Sequence, residues 1–289
     1  MTTAAHWLEG ARPRTLPAAL APVLVGTGAA AAEQGLRPVR ALLALVVALA
    51  LQVGVNYAND YSDGVRGTDA DRVGPLRLVG SGAAPPQAVL RAALACFGVA
   101  ALAGLVLAVL TTLWLVPLGL VMIAAAWGYT GGARPYGYRA LGEVSVFVFF
   151  GLVAVTGTTY VQLERVPLAA VVGGAASGAL ACALLVANNL RDIPSDEVSG
   201  KRTLAVVLGD RRTRVLYPAL VATAFVAALL LVVVTPWSLV ALLALPLAAG
   251  PVARVRRGVG GRELVPVLRD TGRLQLVFAV LLGVGLALA

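Results

Sequence analysis

NYANDYSDG, residues 56–64, closes an apolar run that begins near residue 40. Within it Asn56, Asn59, Asp60 and Asp63 are spaced i, i+3, i+4 and i+7, which stacks four polar side chains on one face of a helix. Ending a hydrophobic helix in this way is costly. An ionisable residue at membrane depth costs about 2.5–3.5 kcal/mol on insertion scales and marks function by default.

The rest of the chain says what kind of helix this is. Of its 289 residues, 59% are hydrophobic and only 13% charged, with a mean hydropathy of +0.87. Soluble domains carry roughly 25% charged residues, so the composition is that of a membrane protein. A bilayer crossing takes about 17–25 apolar residues. Nine runs meet that need: 15–32, 40–58, 88–110, 113–129, 140–161, 167–190, 213–234, 237–254 and 273–289. The ten-residue alternation of a membrane barrel is absent. The expectation is an all-α polytopic membrane protein, nine transmembrane helices in a bundle, forming a single domain over residues 1–289. Short connections around Thr111-Thr112 and Thr235-Pro236 predict antiparallel hairpins.

Orientation follows from the basic residues. Taking the N-terminus and the loops 59–87, 130–139, 191–214 and 255–272 as one side, that side and its helix ends hold 20 of the 23 Arg and Lys residues. Only Arg37, Arg40 and Arg165 fall on the other. This predicts a cytoplasmic N-terminus and cytoplasmic long loops in the cell membrane. Trp7, Trp114, Trp127 and Trp237 fall near the run boundaries, where aromatic belts sit. The net charge of +9 is dispersed between apolar segments without a groove-binding motif, which argues against nucleic acid. The start lacks a short apolar core with a small-residue cleavage site, so no cleaved signal is expected. Cys96 and Cys182 read as packing residues, and the lone His6 as interfacial. Gly174 and Gly178 form a small-xxx-small pair suited to close helix approach.

A second polar face echoes the first. In NNLRDIPSD, residues 188–196, Asn188, Asp192 and Asp196 stand at i, i+4 and i+8. Both motifs end even-numbered helices on the same side, so they can face each other across a bundle. Eight of the 14 acidic residues lie in these loops: Asp60, Asp63, Asp69, Asp71, Asp192, Asp196, Glu197 and Asp210. Facing carboxylates do not stay ionised at close range without cations between them. Oxygen ligands of this kind suit Mg²⁺, held by few carboxylates together with substrate phosphates. Arg66, Arg72, Arg134, Arg139, Lys201 and Arg202 are the phosphate-contact candidates. Lys201, the only lysine beside 22 arginines, marks a place where a compact point charge is wanted. The residues thus favour an amphiphilic diphosphate, its head on metal at the cytoplasmic interface and its tail among the helices. A transporter also carries polar groups in membrane helices, but near the midplane on broken helices; here they lie at helix ends on one side.

NDYSD at 59–63 with RDIPSD at 191–196 resembles the paired aspartate motifs of the UbiA-type intramembrane prenyltransferases. Within that superfamily three stretches are similar to the 1,4-dihydroxy-2-naphthoate polyprenyltransferases: ARPRTLPAALAPVLVG at 11–26, GYTGGARPYGYRALGE at 128–143 and NNLRDIPSDEVSGKRTLAVVLG at 188–209. The resemblance runs from about residue 7 to the last helix and implies a cytoplasm-facing active site. It implies transfer of a polyprenyl group from polyprenyl diphosphate to 1,4-dihydroxy-2-naphthoate, with loss of CO₂ and diphosphate, giving demethylmenaquinone. It implies two Mg²⁺ ions, one on Asn56, Asp60 and Asp63, the other on Asp192 and Asp196. Substrate contacts are expected at Asn56, Asn59, Arg66, Arg72, Tyr129, Arg134, Tyr138, Arg139, Asn188 and Lys201. Of these, Arg134, Arg139 or Lys201 would take the acceptor carboxylate, and Tyr129, Tyr136 or Tyr138 would face the allylic cation. A further aspartate of the family pattern is replaced by Gly67, leaving Asp69 or Asp71 as its substitutes. Hydroxybenzoate or homogentisate as acceptor is the alternative within the superfamily.

Overall fold

A computed structural model describes residues 2–67 and 76–289. Arg72, Asp69 and Asp71 lie outside the described residues. The first apolar segment is a bent pair, Ala4–Thr15 and Pro17–Ala32, meeting at 49°. Its break lies where Arg12 takes a left-handed backbone (φ +53°) and prolines occupy positions 13 and 17. We label Ala4–Gly10 α1 and Pro17–Ala32 α2. There follow α3 (Pro38–Arg66), α4 (Pro86–Leu110), α5 (Leu115–Gly128), α6 (Gly142–Leu163), α7 (Leu168–Val198), α8 (Leu204–Val233), α9 (Pro236–Arg256) and α10 (Gly261–Ala287).

Each of the nine expected runs overlaps one of these helices. Among the described residues, seven helices are long and apolar enough to cross a membrane, and the bent pair makes an eighth. The count of nine is not reached because α5 has only 14 residues. At 1.5 Å per residue it spans about 21 Å, short of a hydrocarbon core of about 30 Å.

Two helices do the opposite and overrun the core. Helix α3 has 29 residues and α7 has 31, so each is roughly 45 Å long. The excess turns of each carry the two polar motifs. NYANDYSD stays helical through Arg66, and Gly67 ends the helix at φ +72° with its N–H on the Asp63 and Gly64 carbonyls. The departure from the family pattern at Gly67 is therefore a left-handed helix cap.

Side chains pack in two groups. Tyr57, Ala58, Leu78, Val89, Ala93 and Phe97 join α3 to α4 and the 76–79 segment. A larger cluster unites α2, α6, α7, α8, α9 and α10, with Leu180, Tyr217, Leu274 and Phe278 fully buried or nearly so. The Gly174/Gly178 pair lets α6 approach α7. A Cβ at Gly178 would meet the Phe147 carbonyl oxygen at 2.9 Å, and one at Gly151 the Gly178 Cα at 2.5 Å. At this crossing α6 widens into a π-helical turn, Phe147–Val153, a distortion often found beside functional sites.

Candidate functional site

A cavity of about 1510 Å³ is walled by α1 to α7, by α10 and by the 12–15, 129–138 and 201–203 segments. Its wall divides by chemistry. Leu51, Leu107, Leu118, Met122, Phe149 and Phe150 line an apolar part, whereas Asn56, Asn59, Asp63, Asn188, Asp192 and Asp196 line a polar one. Each polar residue comes from the overrunning end of α3 or α7, so both motifs open into one space.

Every carboxylate whose contacts are described is matched by a donor. Asp63 accepts from the Lys201 ammonium at 3.2 Å and from the Tyr138 hydroxyl. Lys201 also lies 4.8 Å from the centre of the Tyr138 ring, a cation–π distance. Asp192 holds Arg191 through both oxygens, at 2.6 and 2.8 Å, with both side chains buried. Arg191 in turn donates to Asn188 at 2.9 Å. Lys201 is set in place by its backbone: its N–H reaches the Asp196 carbonyl, and Arg202 forms a single β-bridge with Arg139. The chain's only lysine is thus buried and charge-paired with Asp63.

Other expected residues are engaged in other contacts or lie outside the cavity wall. Asp60 is fully buried but does not line the cavity; its two oxygens accept the N–H groups of Leu78 and Val79 at 2.8 and 3.0 Å. It anchors the loop that follows α3. Asn56 lines the cavity, yet its amide is engaged with the N-terminal segment, donating to the Ala11 carbonyl and Thr15 and accepting from Gln52. Asn59 accepts from Thr130 at 2.6 Å. Arg66 is exposed, caps the Thr130 and Gly132 carbonyls, and lies 5.7 Å from the Tyr138 ring centre. Arg134 and Arg139 are exposed and absent from the cavity wall. The left-handed turn at Gly132 and the Arg139–Arg202 pairing keep their segment at the surface. Arg66 likewise lies outside the cavity wall.

Residues beyond the expected set line the cavity instead: Arg12, Arg14, Arg77, Arg191, Arg262 and Asn189. One guanidinium nitrogen of Arg12, Nη2, is buried without a hydrogen-bond partner among the described residues. The signal for Arg12 was present in the ARPR stretch, but nothing in a linear sequence says which of several basic loops folds inward. Tyr129 lines the same wall, its ring edge-on to Tyr136 with centroids 5.5 Å apart. Burial raises its phenol above the ordinary value, and the field of Glu143 adds to the shift. Burial raises Tyr136 too. Both stay neutral hydrogen-bond donors at working pH.

The donor set suits a hard cation. Among the described residues no three His, Cys, Asp or Glu side chains cluster as a metal cage. Asp63, Asp192 and Asp196 with neighbouring amides are oxygen donors nonetheless, the set Mg²⁺ uses when substrate phosphates and water complete its shell. The residues present fit that ion.

Residues 19–267 match the model of the UbiA prenyltransferase family. The chain is 58% identical over 287 residues to a 1,4-dihydroxy-2-naphthoate octaprenyltransferase of Mycobacterium tuberculosis, covering 99% of this chain and 98% of that one. It is 39% identical to the Escherichia coli protein of the same name, over 98% and 95% of the two chains. Its fold matches a UbiA homolog from Archaeoglobus fulgidus solved with DMAPP and Mg²⁺, with a TM-score of 0.57, 15% identity and coverage of 96% and 99%.

Proposed function

Because this chain belongs to the UbiA prenyltransferase family, we propose that it transfers a polyprenyl group from polyprenyl diphosphate to 1,4-dihydroxy-2-naphthoate, releasing CO₂ and diphosphate. The immediate product is the prenylated dihydroxynaphthalene, the reduced (quinol) form of demethylmenaquinone, in menaquinone biosynthesis. One observation carries the reading. A single cavity joins two acidic helix ends to a long apolar wall, which is the shape of an isoprenoid diphosphate. Full-length identity to naphthoate octaprenyltransferases supports the acceptor. The whole chain, residues 1–289, acts as one membrane domain with its N-terminus and site on the cytoplasmic side.

The places of the residues support a role for each. Asp63 and Asn56 on one face and Asp192 and Asp196 on the other would hold two Mg²⁺ ions, which would supply neutralisation of the charge growing on the leaving diphosphate. Asp60 acts on that set indirectly, through the loop it anchors. Lys201 and Arg12 bind phosphate oxygens as charged donors. As the allylic C–O bond breaks, Phe149, Phe150 and Leu118 keep water from the carbon that gains positive charge. Tyr129 and Tyr138 turn aromatic surface toward it. The electron-rich ring carbon bearing the carboxylate forms the new C–C bond, and loss of CO₂ returns the ring to aromaticity.

The test is a product assay. Membranes containing the protein, Mg²⁺ and a polyprenyl diphosphate are offered naphthoate, hydroxybenzoate or homogentisate, and products are identified by mass. Prenylated naphthoate is the expected result. Product from another acceptor alone would assign the chain to a different branch, and accumulation of unmodified substrate in sealed vesicles would make it a transporter.

A further inference from the structure

Glu143 is the only acidic residue in the apolar run 140–161, and none of the roles above uses it. It opens α6 and is 7% exposed. A carboxyl group in such a place is retained for a reason. One of its oxygens, Oε1, accepts from Nδ2 of Asn189 at 2.9 Å; the other is buried with no partner among the described residues. Asn189 is also 7% exposed, and it lines the cavity three residues before Asp192. Tyr129 packs against the start of the same helix: a Cβ at Gly142 would meet its hydroxyl oxygen at 3.1 Å.

An asparagine amide presents a donor on one side and an acceptor on the other. One N–H bonds Oε1 of Glu143, which fixes the amide's orientation and leaves the amide oxygen for a ligand. Resting on the reading of the cavity as an aromatic acceptor site, we propose that Glu143 is a positioning residue. It fixes Asn189 so that the amide oxygen accepts a hydrogen bond from a ring hydroxyl of the acceptor. The pair thereby selects dihydroxylated aromatic rings over analogues that lack the hydroxyl. Rejection of a missing hydroxyl is effective in a buried site, because the amide oxygen is then left unpaired.

Glu143→Gln keeps shape and removes the acceptor-only character. The expected result is a KM for naphthoate raised about fivefold to tenfold, the worth of one hydrogen bond, with the KM for polyprenyl diphosphate unchanged. Asn189→Ala gives the same split. The double variant is no worse than Asn189→Ala alone, since Glu143 acts only through the amide. An analogue lacking one ring hydroxyl is used equally by wild type and both variants. Equal rises in both KM values, or additive losses in the double variant, would show a merely structural role and overturn the proposal. So would variants with wild-type acceptor KM. Absence of naphthoate product in the wild type would instead overturn the functional reading.

Discussion

At the residue scale the site is an arrangement of compensated charges. Lys201 and Arg191 form ion pairs with Asp63 and Asp192 inside the protein. Removing one partner of a buried pair costs about 3–5 kcal/mol, since the other is left uncompensated. Lys201→Met should therefore lower stability in detergent by about that much, read by thermal unfolding. Asp63→Asn added to it should recover most of the loss while activity stays absent. Asp63→Asn, Asp192→Asn and Asp196→Asn should each reduce turnover on the order of 10²–10³, the usual cost of removing one stabiliser of developing charge. Wild-type turnover in all three would sink the proposed metal set. This part of the site was legible in the sequence, because helical spacing alone put these carboxylates on two faces. The engagement of Asp60 with Leu78 and Val79 was not, since it depends on a loop returning from 18 residues downstream.

At the scale of elements, helix length and helix contact carry the design. The overrunning ends of α3 and α7 carry the polar groups beyond the apolar stretches without breaking the helices. Two glycines show how differently the same residue type serves. Gly178 faces the Phe147 carbonyl and Gly151 at close range, so Gly178→Leu should cost about 3 kcal/mol or more by overpacking and should misplace the cavity wall. Gly67 has no neighbour within 4 Å of a Cβ position among the described residues but has a left-handed backbone. Gly67→Ala should cost about 1–2 kcal/mol from that conformation alone, with activity retained. Thermal melts of the two variants beside turnover measurements check both. The small-xxx-small pair could be read from the sequence, but which helix it met could not.

Across the whole molecule, two packed groups of helices flank one cavity whose head is polar and whose body is apolar. Mg²⁺ and polyprenyl diphosphate together should raise the melting temperature more than either alone. At a hundred times the dissociation constant the stabilisation is about 2.7 kcal/mol. Chelation should abolish both that shift and turnover, and added Mg²⁺ should restore them. Orientation has its own test. In a chain lacking Cys96 and Cys182, Arg165→Cys should react with an impermeant thiol reagent on intact cells, while Arg134→Cys reacts only after permeabilisation. Labelling of both from outside would reverse the topology.

The sequence by itself determined the membrane class, the helical architecture and the two polar faces, because hydropathy and the 3.6-residue period are local properties of the chain. It also marked Lys201, through composition alone. Only the tertiary structure decided which basic residues turn inward. Arg12 and Arg191 line the cavity while Arg134 and Arg139 do not, since loop direction is set by contacts between distant segments such as the Arg139–Arg202 bridge. The same holds for Glu143, whose partner Asn189 lies 46 residues away on another helix. Distances of that kind are not written in spacing, and they exist only once helices pack.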